Sequence, residues 1–81
     1  MKRARTRLIG HKTRVVKLAG TEYLIERMLW SVYDPEEDEV SIVAQLEFSR
    51  LVNEEGTKGW RTIRTPQKIP GLVDESRREW K

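Results

Sequence analysis

The chain has 81 residues, a net charge of +3 from 16 Lys and Arg against 13 Asp and Glu, and no cysteine. That length fits one domain over 1–81 with a thin core and no deep catalytic cleft, and the lack of cysteine excludes disulfides, zinc ribbons and thiol catalysis. A cysteine-free chain suits a reducing compartment, so the cytoplasm is expected; no apolar stretch of signal length follows Met1–Arg5, and no run approaches the ~20 apolar residues of a membrane helix, so no membrane partner is expected.

In chain order, Arg5–Ile9 and Arg14–Leu18 read as two short strands around a Gly10-His11-Lys12 turn. After the Ala19-Gly20-Thr21 turn, Leu24–Tyr33 supports two readings. Leu24, Ile25, Met28, Leu29 and Val32 form a helical stripe, whereas Leu24, Met28, Trp30 and Val32 form one strand face broken by Glu26. The ending Trp30-Ser31-Val32-Tyr33, β-branched and aromatic, favours a strand, with Trp30 in the core; an α+β fold with residues 22–33 helical is the alternative. An acidic loop, Asp34–Glu39, then leads to the clearest element. Val40, Ile42, Ala44, Leu46 and Phe48 alternate with residues that are polar except for Val43, predicting a half-buried strand with these side chains inward.

Asn53–Gly59 reads as a turn, Trp60–Thr65 as a further strand ended by Pro66, and Val73–Trp80 as a short helix whose acids precede its bases. Together these predict a mainly β fold: a five-stranded antiparallel meander, or a small SH3-like or OB-like barrel, with a short C-terminal helix.

Charge falls in three blocks. Residues 1–20 hold seven bases and no acid, residues 21–55 hold ten acids against Arg27 and Arg50, and residues 56–81 hold seven bases against three acids. In an extended chain Arg3, Arg5 and Arg7 point to one side as a comb, and a guanidinium fork binds phosphate oxygens in pairs. Lys12, Arg14 and Lys17 widen that patch, and Trp60 beside Arg61 and Arg64 offers a stacking ring with further cations. The expected function is binding of DNA or RNA through the phosphate backbone. The competing reading makes the same bases an ordinary protected edge strand. It casts the chain as an accessory protein that docks on another protein, or on a second copy of itself, through the acidic hairpin and an exposed aromatic.

Nothing in the sequence assembles into catalysis. His11 is the single histidine, set among bases, and cannot by itself make a multi-histidine metal site. The acidic run 34–39 lacks calcium-loop spacing, and Gly56-Thr57-Lys58-Gly59 lacks the spacing of a phosphate loop. The chain is therefore expected to be no enzyme and to need no metal or cofactor.

Overall fold

The computed structural model describes residues 4–80. Four strands, β1 (Arg5–Leu18), β2 (Thr21–Asp34), β3 (Glu39–Glu54) and β4 (Thr57–Thr62), precede a 3-10 turn at Pro66–Lys68 and a short helix, α1 (Leu72–Ser76). The strands form one open antiparallel sheet in the order β1-β2-β3-β4. Two of its hairpins close on Ala19-Gly20 and Glu55-Gly56, whose φ values of 49, 82, 51 and 82° put both central residues of each turn in the left-handed region. Such turns match the right-handed twist of the strands they join. The middle hairpin closes on the acidic loop, where Asp34 pairs with Glu39. The Asp34 carboxylate accepts the Glu36 N–H at 2.9 Å, and the Tyr33 hydroxyl donates to Asp38 at 2.7 Å.

Four strands replace the expected five because Gly10 opens no turn. The two short strands anticipated around it are one strand with a β-bulge between Leu8 and Gly10. A side chain at Gly10 would start 3.3 Å from Leu29 Cδ1, so glycine lets the strand run past Leu29. The residues 22–33 are strand throughout, not helix. The sheet is open rather than barrel-like, with β1 and β4 at opposite edges. The last strand starts and ends earlier than the Trp60–Thr65 expectation, and α1 stops at Ser76 short of Trp80.

Register divides the side chains into two faces, because directly opposed residues of antiparallel strands point the same way. One face, here the core face, carries Val16, Leu18, Tyr23, Ile25 and Phe48, and the chain end folds over these. Tyr23, Ile25, Phe48 and Leu72 are buried, flanked by Val16, Leu18, Ile63, Ile69 and Trp80. Gly71, at φ 82°, turns the chain into α1. The opposite, open face has no element packed on it.

This core occupies one end of the sheet only. Of the β3 alternation, Phe48 alone is buried; Val40, Ile42 and Leu46 are 63, 61 and 42% exposed, so the expected inward row is correct in direction and wrong in depth. Trp30 is likewise no core residue. It lies half-buried on the open face, its indole N–H donating to Gln45 at 3.0 Å. The radius of gyration, 16.2 Å, exceeds the ~11.7 Å of a compact chain this long, and the extents are 49 × 30 × 23 Å. The distal ribbon, made of the β1 start, the β2 end and the β3 start, extends beyond the core. No helix among the described residues is long and apolar enough to cross a membrane.

Candidate functional site

The bulge in β1 decides where the bases go. Before it, Arg5 opposes Tyr33 and Arg7 opposes Ser31; after it, Gly10 opposes Leu29, Lys12 opposes Arg27 and Arg14 opposes Ile25. All these β2 residues share the core face with Ile25. An unbroken strand would have sent Arg5 and Arg7 to one face and Lys12 and Arg14 to the other. The extra residue reverses the alternation and gathers the four on one face.

Arg27 joins them from β2, opposite Leu46, and Arg50 from β3, opposite Tyr23. On this face neither β1, β2 nor β3 as far as Val52 carries a carboxylate. Glu22, Glu26, Asp34, Glu39 and Glu47 all fall on the open face, as the same registers require. The three-block charge pattern of the sequence therefore becomes a two-face pattern in the fold. Arg5, Arg7, Lys12, Arg27 and Arg50 take part in no ion pair among the described residues, whose pairs are His11–Glu26, Arg61–Glu54 and Arg78–Glu75. A shallow depression bounded by Gly10, His11, Lys12, Arg27 and Leu29 marks the bulge.

At the far end of this lane Tyr33 lies beside Arg5. Its hydroxyl pKa is raised above the ordinary 10.0, first by the hydrogen bond to Asp38, then by desolvation and by Asp34, while Arg5 opposes the rise. The phenol stays neutral, and its ring is half-buried at the ribbon's end.

The remaining sequence candidates scatter. Arg14 sits on the basic face but is occupied. Its guanidinium donates to the carbonyls of Glu75, at 2.7 Å, and Glu79, and lies 4.5 Å over the Trp80 ring. Lys17 opposes Glu22 and points to the open face. Trp60 and Arg61 are on β4, three strand spacings from β1, or about 14 Å in a flat sheet. Trp60 opposes Leu51 on the open face and is 44% exposed. Arg61, on the core face opposite Arg50, bonds Glu54, and Arg64 follows β4 in an exposed bend. The first block and the Trp60–Arg64 segment thus lie at opposite edges, and Arg3 lies outside the described residues.

His11 belongs to β1 rather than to a turn, and the fold brings it an acid distant in sequence: its Nε2 is 3.0 Å from Glu26 Oε2. Among the described residues no group of three or more His, Cys, Asp or Glu is arranged to hold a metal ion.

Sequence reasoning missed Arg27 because summing charge over residues 21–55 hides two bases among ten acids. Strand parity would have found it, since Arg27 is two residues from Ile25 and therefore on the face opposite to Glu22 and Glu26. No family model, curated protein or solved structure matches this chain.

Proposed function

We propose that the chain is a non-enzymatic binding module that takes the phosphate backbone of DNA or RNA on the core face of its distal ribbon. One observation carries the reading: a face with Arg5, Arg7, Lys12 and Arg27, none of them ion-paired among the described residues, on strands β1 and β2, whose own carboxylates Glu22, Glu26 and Asp34 fall on the other side. Such one-sided charge attracts a polyanion and orients it before contact. Arginine forks and a lysine suit phosphate oxygens, and the Tyr33 ring offers a stacking surface to a base of a single strand. Contacts of this type fix register on the backbone and carry little sequence information.

Fluorescence anisotropy with short single-stranded and duplex probes, over a series of salt concentrations, tests the reading. Four phosphate contacts give a slope of log K against log salt of about −3 for a single strand and about −3.6 for a duplex. Replacing Arg5, Arg7 and Arg27 together by Ala should flatten the slope by about 2 to 3 units, equally across sequences. Glu36→Gln with Glu37→Gln, in the acidic loop, should leave binding no weaker. No binding to any probe at low salt overturns the reading, as does a slope untouched by the triple change.

A separate observation favours a second reading, docking on another protein. Leu8, Trp30 and Val43 form a cross-strand row on the open face, with Leu8 and Val43 exposed. The exposed Trp60 is on the same face, but the acidic hairpin tip lies at the opposite end of β3. Under this reading, Leu8→Ser and Val43→Ser abolish partner capture, and the arginine changes do not.

A further inference from the structure

The two edges of the distal ribbon are built differently. Along β1 the edge carries Arg5, Arg7, Lys12 and Arg14 and is broken by the bulge, devices that discourage a further strand from pairing there. Along β3, β4 covers only Ser49–Glu54. Residues 39–47 are left as a second free edge with no bulge, lysine, arginine or proline. Phe48 O accepts the Ile63 N–H from the β4 side at 2.7 Å, which fixes the outward phase of the strand. By alternation, the backbone N–H and C=O of Val40, Ile42, Ala44 and Leu46 point away from β2, and no strand of the sheet lies there to take them. Their side chains are apolar, and three of the four are the exposed Val40, Ile42 and Leu46. A bare, apolar, β-branched edge of this length is a template for another strand.

We infer that this edge binds a second copy of the chain, β3 against β3, antiparallel about a two-fold axis through Ile42. Self-complementarity is the first argument. A two-fold perpendicular to the sheet pairs residues whose numbers sum to an even value, so core face meets core face. Centred on Ala44, it would set Val40 opposite Phe48, where Ile63 already lies; centred on Ile42, it sets Val40 opposite Ala44, Ser41 opposite Val43 and Glu39 opposite Gln45, all short of β4. Centred on Val43, between the two, it sets Glu39 against Glu47, a destabilising like-charge pair. Area is the second argument. The surface of 6667 Å² exceeds by ~1,600 Å² that of a compact monomer of this mass, and a standard interface takes ~800 Å² from each partner. The open face is the poorer seat for a second copy, because stacking it on itself opposes Glu22, Glu26 and Glu47 to their own kind. Edge pairing instead joins the two sheets through their β3 strands, with both basic lanes on one side and the apolar β3 residues of both copies between them.

The test uses the absence of cysteine from the chain. Residues opposed across a hydrogen-bonded antiparallel pair have Cα atoms about 5.5 Å apart, within disulfide range. Ile42→Cys should therefore oxidise to a covalent dimer, whereas Ala44→Cys, whose counterpart across the axis is Val40, should remain uncrosslinked. Sedimentation equilibrium of the parent chain should give twice 9.6 kDa at tens of micromolar. Ala44→Pro removes an outward N–H and no bond to β2, and Ile42→Lys places a charge on the edge. Both should be folded monomers by circular dichroism and sedimentation. A monomeric parent overturns the inference, as does a dimer that survives both Ala44→Pro and Ile42→Lys, or equal crosslinking by the two cysteine variants. The phosphate reading is independent of all three results, since its arginines lie on β1 and β2.

Discussion

Arg14 separates a structural role from a binding role within one run of basic residues. Its fork holds two carbonyls at the end of the chain, those of Glu75 and Glu79, and its plane covers Trp80, whose indole N–H in turn donates to the Ser76 carbonyl at 2.9 Å. In Arg14→Ala the helix end loses the cation that satisfies it, and Trp80 loses its cover. A hydrogen bond from a charged donor is worth about 1.5–3 kcal/mol, and an exposed cation–π contact about 0.5–1. The Glu79 bond is exposed and adds little, so the expected cost is about 2 kcal/mol. For a domain of this size that lowers Tm by roughly 8–16 °C. Arg14→Lys keeps the charge but cannot reach two carbonyls with one planar fork, and should recover less than half of the loss. Urea melts followed by tryptophan fluorescence, with anisotropy on the same samples, read both quantities. A melt within about 0.5 kcal/mol of the parent, accompanied by weaker nucleic-acid binding, refutes the clamp and returns Arg14 to the phosphate lane.

Ile25→Ala and Leu72→Ala, which empty fully buried positions, should each cost about 2–5 kcal/mol in the same melt. Val15→Ala, on the open face and 57% exposed, should cost under about 1 kcal/mol. Ala19→Asn and Glu55→Asn should each stabilise by about 0.5–1 kcal/mol, because both positions have positive φ and asparagine tolerates it better. Tyr33 should titrate above 10.0 by ultraviolet difference spectroscopy, and Asp38→Asn should bring it back toward that value. Since the folded pKa is the raised one, the stability linked to Tyr33 is present below the ordinary pKa and lost as pH rises through the folded value.

Local pattern made the strands legible, but it could not reveal where the core ends. Val40–Phe48 alternates as a strand should, and Tyr33 and Val40 do pair across the acidic loop. Alternation reports a face, however, and burial needs something laid on that face. Here α1 and the segment before it are long enough to cover Tyr23, Ile25 and Phe48 and no more. The same limit explains Trp30, whose even position on β2 puts it opposite to Ile25 whatever its hydrophobicity. Gly10 misled in another way. A glycine between two apolar runs signals a turn, but here it answers the side chain of Leu29 on a strand distant in sequence. The basic lane was half legible. Arg5 and Arg7 alternate visibly, yet their union with Lys12 depends on the bulge, and Arg27 depends on the register of β1 against β2.

The asymmetry of the two edges makes the phosphate site and the self-pairing edge separable. Bases line β1, where they and the bulge discourage a further strand, and the bare edge of β3 carries none between Glu39 and Ser49. Between them on the core face stand the β2 residues Arg27, Leu29, Ser31 and Tyr33. A polyanion on the β1 side therefore leaves the Val40–Leu46 backbone untouched, and a second β3 strand covers none of Arg5, Arg7 or Lys12. Removing Arg5, Arg7 and Arg27 should leave the sedimenting mass unchanged while flattening the salt slope. Ala44→Pro should halve the mass while preserving the slope per chain. Apparent affinity for long probes should still fall in Ala44→Pro, because joining two sites on one side of a continuous sheet turns the second contact into an intramolecular event. That loss should vanish on probes too short to reach both lanes. A loss that persists on the shortest probe means that the β3 edge itself contacts nucleic acid, and the separation of the two sites is then wrong.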